Sequence, residues 1–115
     1  QQAVRKLHEF IKKEVELGKK VYVLGASTRG NTLLQAAHLD HTLITAAIER
    51  NPEKYGKLYG GTGIPIISEE QSKKEKIYYK LVLPWFFRDE IVNREEEYLK
   101  AGGHLIFPLP FFQVI

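Results

Sequence analysis

The residues best suited to chemistry form one short segment, Gly25-Ala26-Ser27-Thr28-Arg29-Gly30-Asn31-Thr32, directly after an apolar run. Gly25 permits a tight turn, and Gly30 allows a following helix to approach the strand closely. Free N–H groups at a helix start attract phosphate, and Arg29 can add a forked pair of hydrogen bonds. Further hydroxyl and amide groups come from Ser27, Thr28, Asn31 and Thr32. The segment therefore predicts an anion site. The alternative is a plain strand-to-helix turn in which Ser and Thr cap the helix.

The spacing of this segment is G-x-S-x-x-G, one residue away from the dinucleotide-binding pattern G-x-G-x-x-G. Ser27 stands at the position of the middle glycine, so its Cβ lies where a pyrophosphate would otherwise touch bare backbone. The segment is not the nucleophile elbow of a hydrolase either, because residue 29 is arginine and not glycine. The pattern thus counts against a dinucleotide and against acyl-transfer chemistry.

Glu49 is a second candidate, because it directly follows the apolar run 43–48. Nucleotide-binding folds place a ribose-binding carboxylate at the end of a strand, roughly 20 residues after the first glycine, and Glu49 lies at about this distance from Gly25. The alternative is a solvated carboxylate that pairs with Arg50 or Lys54.

The third candidate is Trp85, which begins the aromatic segment Trp85-Phe86-Phe87 after an apolar strand. Such a cluster can stack on a base or a sugar, or it can pack against a neighbouring domain. The alternative is packing inside a strand-to-helix corner.

The histidines do not predict a metal site. His38 and His41 flank Asp40, but no fourth ligand is suggested, and the chain has no cysteine. We therefore expect no metal ligands and no catalytic residue in this chain.

Helices and strands alternate along the chain. The predicted strands are short apolar runs, and they cover 21–24, 43–48, 64–67, 78–83, 104–107 and 111–115. The predicted helices show apolar residues at helical spacing or a capping box, and they cover 3–17, 30–37, a short segment opening at Ser68, and 89–101. Because of Pro65, the run 64–67 is expected to be an edge strand or an extended segment, and 53–62 is expected to be an ordered loop.

This alternation predicts an α/β fold, a Rossmann-like three-layer sandwich with a mostly parallel sheet and helices on both faces. Ligands bind beyond the carboxyl ends of such strands, and all three candidates follow a strand. Residues 1–115 form a single domain in this interpretation, since no linker or repeat divides the chain.

Composition excludes several other classes of protein. The chain has 115 residues, of which 43% are hydrophobic and 27% charged, which argues against disorder. It lacks an apolar run of the ~20 residues that a membrane helix needs. The net charge of +3 is spread along the chain, so neither nucleic acid nor a membrane is an expected partner. Because methionine is absent and the chain has no initiator, it is expected to be a piece of a longer protein.

Several segments in this order resemble the C-terminal domain of the sugar C-methyltransferase family, whose members use S-adenosylmethionine to methylate nucleotide-linked deoxysugars. The resemblance rests on residues 21–34, 48–57, 63–66, 83–85, 89–91, 102–103 and 108–110. Arg29 and Glu49 stand where the family usually has Lys and Asp, and Phe86 stands where a polar residue often follows the tryptophan.

The resemblance implies a cytoplasmic, three-part parent protein, with a cysteine-rich zinc domain, a domain that binds the methyl donor, and this domain last. S-adenosylmethionine and zinc would then belong to the absent domains, and this chain would be inactive alone. It would dock on the donor-binding domain and help to enclose the nucleotide-sugar. The implied substrate-binding residues are Gly25, Ser27, Thr28, Arg29, Gly30, Asn31, Thr32, Glu49 and Trp85.

Two other functions stay open from the sequence. The chain can be a self-sufficient Rossmann-like module that binds an adenine nucleotide, with a regulatory role. It can also be a structural docking domain, in which case the aromatic segment 85–87 would lie in an interface.

Overall fold

A mixed sheet of seven strands runs through the computed structural model, which describes residues 2–115. The strands are β1 Val21–Leu24, β2 Ala47–Glu49, β3 Leu58–Tyr59, β4 Ile64–Ser68, β5 Tyr79–Val82, β6 His104–Phe107 and β7 Gln113–Val114. Their order across the sheet is β3-β4-β2-β1-β5-β6-β7.

The five inner strands pair in parallel, and each edge strand pairs antiparallel to its neighbour. In the centre, Val23 of β1 lies opposite Ala47 of β2 on one side and Leu81 of β5 on the other. All of β1 and β5 is buried, as expected for short apolar strands that are covered on both faces.

Helices cover both faces of the sheet, which confirms the α/β prediction. The helices are α1 Gln2–Glu16, α2 Thr28–Ala36, α3 Glu69–Ser72, α4 Arg88–Arg94 and α5 Glu96–Lys100, with 3₁₀ turns at Pro52–Lys54 and Trp85–Phe87. Leu7 of α1 and Leu34 of α2 pack in one core cluster with Val23. Ile91 of α4 packs in a second cluster with Tyr22, whose side chain points to the opposite face of β1.

Two helices differ from the prediction. α2 begins at Thr28, earlier than the predicted range 30–37, because Ser27 caps it. The predicted helix 89–101 is divided at Glu95, where the backbone leaves helical geometry (φ −98°, ψ 19°). The Glu95 side chain accepts a hydrogen bond from Lys80 of β5 at 2.5 Å, a long-range contact without a local sequence signal.

The edge position predicted for Pro65 is wrong. β4 pairs with β2 on one side and with β3 on the other, where Pro65 lies opposite Leu58. The ladder bond on that side comes instead from Ile66, whose N–H donates to the carbonyl of Lys57, so the missing N–H of proline is tolerated. The segment 53–62, predicted as a loop, therefore contains β3. β2 is also shorter than the predicted strand 43–48.

The helix predicted to open at Ser68 is confirmed, since the Ser68 hydroxyl accepts the N–H of Gln71 at 3.0 Å. The capping box is only half formed, because the Gln71 side chain donates to Glu75 at 2.8 Å. Within residues 2–115, every helix is too short or too polar to cross a bilayer.

Candidate functional site

The centre of the sheet contains the point at which the chain changes direction. From β1 the chain proceeds to β2 and β4 on one side, and later returns to place β5 on the other side. The helices that follow β1 and β5 pack on opposite faces of the sheet. Open α/β sheets bind ligands beyond the strand ends at such a point. The predicted segments 25–32 and 85–87 follow β1 and β5, so they lie on the two sides of this point. The surface between the two segments is called the crevice below.

Two glycines bring the two sides into direct contact. Gly25 has a φ of +91°, and a Cβ there would lie 3.3 Å from the Pro84 ring. Gly30 is packed still closer, because a Cβ would lie 2.5 Å from Cδ1 of Leu83. The sequence interpretation of Gly30 as a point of close approach is confirmed. Both glycines shape the crevice by their lack of a side chain.

The backbone N–H groups of the β1–α2 turn are only partly used within the chain. Ser27 is the N-cap: its hydroxyl oxygen accepts the N–H of Gly30 at 3.0 Å, and its carbonyl accepts the N–H of Asn31 at 3.0 Å. The N–H groups of Ser27, Thr28 and Arg29 have no acceptor among the described residues. They lie at the positive end of α2, so three N–H donors remain for an anion.

Glu49 holds this turn in place from the end of β2. One carboxylate oxygen accepts the backbone N–H of Ala26 at 3.0 Å. The other accepts the N–H groups of Arg50 at 2.9 Å and Asn51 at 3.0 Å. The carboxylate therefore joins two loops through their backbones. The alternative pairing of Glu49 with the side chain of Arg50 or Lys54 is not formed, since Arg50 pairs with Glu69 at 3.3 Å.

Two further side chains hold the same turn, and sequence reasoning did not predict either contact. The ammonium group of Lys54 donates to the carbonyl of Ala26 at 2.9 Å, and the hydroxyl of buried Tyr59 donates to the carbonyl of Ser27. Burial raises the pKa of Tyr59 to about 12, with a smaller contribution from the charge of Glu49, so the hydroxyl keeps its proton at neutral pH. Lys54 lies on the 3₁₀ turn after β2 and Tyr59 lies on β3, and neither long-range contact has a local sequence signal.

The polar residues of the segment divide into two groups. The amide oxygen of Asn31 accepts from Gln35 at 3.1 Å, and the Thr32 hydroxyl donates to the carbonyl of Thr28 at 3.3 Å. These two side chains are thus engaged along their own helix. Thr28 and Arg29 are exposed at the turn itself, so they are the side chains best placed to reach a ligand.

The aromatic segment contributes two exposed rings and one anchor. Trp85 is partly buried and packs against both core clusters, whereas Phe86 and Phe87 are 50% and 54% exposed. The guanidinium carbon of Arg29 lies 4.9 Å from the centre of the Phe86 ring. The structure therefore brings Arg29 and this segment together and places Phe86 and Phe87, more than Trp85, in contact with solvent.

No group of three or more His, Asp or Glu side chains in the described part of the chain is arranged to hold a metal ion. A cavity of about 660 Å³ lies between α3 and α5, and its lining includes Leu24 and Ile48 near the carboxyl ends of β1 and β2. The buried ion pair of Lys80 and Glu95 lines it, and the Lys80 ammonium also lies 4.2 Å from the centre of the Tyr98 ring. These charges are satisfied by each other, so the cavity offers no free catalytic group from this pair.

Comparison with known proteins supports the resemblance found from the sequence. Residues 1–110 match the family described as the C-methyltransferase C-terminal domain. The chain is 38% identical over 109 residues to the C-methyltransferase NovU of Streptomyces niveus, a match that covers 95% of this chain and 26% of that relative. The chain thus spans about a quarter of the length of its curated relative. Because the family match covers residues 1–110 of the 115, including both sides of the crevice, the chain belongs to the C-methyltransferase C-terminal domain family.

Proposed function

We propose that this chain is the substrate-side domain of a sugar C-methyltransferase, with a Rossmann-like fold that helps to bind a nucleotide-linked deoxysugar. The observation that carries the proposal is the set of three backbone N–H groups, from Ser27, Thr28 and Arg29, that have no acceptor in residues 2–115. Together with the exposed Arg29 side chain, they form a positive edge at the point where open α/β sheets bind ligands.

The pyrophosphate of the nucleotide-sugar is the group that suits this edge. Backbone N–H groups and a guanidinium are the donors that phosphate oxygens accept in proteins. The three donors are held in advance by Glu49, Lys54 and Tyr59, which fix the turn from outside the site. In this proposal Thr28 and Arg29 contact the ligand directly, and Glu49 acts by positioning the turn.

The contribution of this domain to catalysis is positioning. A fixed pyrophosphate orients the attached sugar toward the methyl donor and lowers the entropic cost of the reaction. Methyl transfer itself belongs to the other parts of the parent enzyme, where S-adenosylmethionine and zinc would bind. The domain that binds the methyl donor is the expected partner of this chain, which alone would not transfer a methyl group.

Titration of the chain with a nucleoside diphosphate, followed by amide NMR, tests the proposal. The N–H signals of Ser27, Thr28 and Arg29 should shift first. Arg29→Ala should weaken binding by about tenfold or more, as expected for loss of a charged hydrogen bond of roughly 1.5–3 kcal/mol. Arg5→Ala, at an exposed position of α1, is the matched control. Absence of binding at millimolar concentration, with unchanged activity of the parent enzyme carrying Arg29→Ala, would contradict the proposal.

The exposure of Phe86 and Phe87 favours a second function, that of a structural docking domain. In that case the two rings would be covered by another domain, and the crevice would bind no nucleotide. The same titration distinguishes the two functions, because a docking domain gives no amide shifts at the turn.

A further inference from the structure

We propose that Phe86 and Phe87 form a nucleobase subsite next to the pyrophosphate edge. This inference rests on the proposed function, because it assigns a second part of the same ligand to a second part of the same crevice. It concerns two aromatic residues that lie outside the core clusters, since about half of the surface of each residue is exposed.

The two rings are held in fixed positions. They lie 4.8 Å apart at an interplanar angle of 57°, on a 3₁₀ turn whose first residue, Trp85, packs against both core clusters. The Trp85 ring meets the edge of Phe86 at 5.6 Å and 81°. Packing of Trp85 against the core therefore holds the two phenyl rings in place, which lowers the entropic cost of ordering them around a ligand.

Arg29 joins the rings to the pyrophosphate edge. Its backbone N–H is one of the three free donors, and its guanidinium lies over the Phe86 ring at 4.9 Å. A ligand that binds the donors therefore has an aromatic surface beside it. Guanidinium planes and phenyl rings are both surfaces on which bases stack.

Stacking explains the rings better than a domain interface does. A stable protein–protein interface buries roughly 1,600 Å² in total. The other large exposed hydrophobic side chains lie on other segments of the chain, at Leu17, Tyr55, Leu58, Tyr78 and Phe111. Two adjacent rings are enough for a single base. Because phenyl groups offer no hydrogen bonds, the subsite should accept purine and pyrimidine bases with similar affinity.

Calorimetry of the chain with inorganic pyrophosphate, uridine diphosphate and adenosine diphosphate tests the subsite. Both nucleotides should bind about tenfold tighter than pyrophosphate, within the range expected for one stacked base. The double variant Phe86→Leu/Phe87→Leu keeps apolar volume but removes the aromatic faces. It should bind the nucleotides as weakly as pyrophosphate, with pyrophosphate binding unchanged. Phe111→Leu is the matched control. The base protons should shift upfield on binding to the original chain and to the control, and should not shift with the double variant.

The possible failures can be told apart. If the double variant binds nucleotides as tightly as the original chain, the base subsite is wrong and the pyrophosphate edge stands, and the rings are then free to serve a domain interface. Loss of pyrophosphate binding in the double variant would also overturn the subsite, because the rings would then support the turn. If the original chain binds none of the three probes, the proposed function fails together with this inference.

Discussion

The carboxylate of Glu49 accepts the backbone N–H of Ala26 at 3.0 Å, and this bond ties the end of β2 to the turn that follows β1. Ala26 is buried, with 7% of its surface exposed, so its N–H has little access to water. The turn that presents the three free donors is thus held by a charged group from a different loop. The sequence interpretation of Glu49 as a ribose ligand stays a prediction, and the observed bonds give it a positioning role as well.

Glu49→Ala should lower the free energy of unfolding by about 1–3 kcal/mol, since the buried N–H of Ala26 loses its acceptor. Urea denaturation measures the loss, and the Ala26 amide should exchange faster with solvent. Glu53→Ala, at an exposed position nearby, should change stability little. Equal effects of the two variants would contradict the role of the Glu49–Ala26 bond.

Substitutions of the N-cap residue Ser27 should show how much the capping hydrogen bond contributes to stability. Ser27→Ala should cost about 1 kcal/mol of stability, because the N–H of Gly30 loses its acceptor, whereas Ser27→Gly should cost only a few tenths. Thermal unfolding measures both, with Thr28→Ala as the exposed neighbouring control. Similar losses for Ser27→Ala and Thr28→Ala would mean that the hydroxyl of Ser27 does not cap α2.

Gly30→Ala should destabilise the protein even though alanine favours helices. A Cβ would lie 2.5 Å from Cδ1 of Leu83, and overpacking of this kind costs about 1–3 kcal/mol, more than the helix gain of about 1 kcal/mol. At exposed Gly60 a Cβ would meet only the flexible end of Asn31 at 3.1 Å, so Gly60→Ala is the mild comparison. Urea unfolding of both variants measures the difference, and a neutral Gly30→Ala would show that Leu83 can move away.

The contact between Glu14 and Tyr79 should make stability depend on pH. The hydrogen bond from the Tyr79 hydroxyl (2.7 Å), followed by interactions with Lys19, holds the pKa of Glu14 below its ordinary value of 4.5. A lowered carboxyl pKa stabilises the folded state above pH 4.5, and this stability is lost as the pH falls through the lower folded-state pKa.

Tyr79→Phe should therefore cost about 1–2 kcal/mol at pH 7, and the difference from the original protein should shrink as the pH falls below 4.5. Urea unfolding at several pH values checks this. Tyr78→Phe, on the exposed neighbour, is the control. A difference that stays constant with pH would mean that ionised Glu14 is not the partner that matters.

Local patterns were sufficient for part of the fold and of the site. The bounds of β1 and β6 agree with the prediction because short apolar strands at the centre of a sheet appear in the sequence as continuous runs. The turn at Gly25 was predicted because its glycines and polar residues are adjacent in the chain. These features depend on neighbours along the sequence.

The remaining features depend on contacts between distant residues. The hydroxyl of Tyr59 reaches Ser27 only because β3 pairs with β4. The division between α4 and α5 coincides with a bond from Lys80 to Glu95. The hydrogen bond from Gln35 to the Asn31 amide oxygen depends on rotamers that a sequence pattern does not specify, and the ligand role of Asn31 stays a prediction.

The arrangement of β1 beside β5 has a mechanical consequence. One wall of the crevice comes from the first third of the chain and the other from the last third, and the helices behind them pack on opposite faces of the sheet. A ligand that contacts Arg29 and Phe86 together would therefore link the helix layers on the two faces of the sheet. Because such a ligand would bind only the folded chain, it would raise the melting temperature as its concentration increases. Thermal unfolding would therefore measure how far the site is occupied.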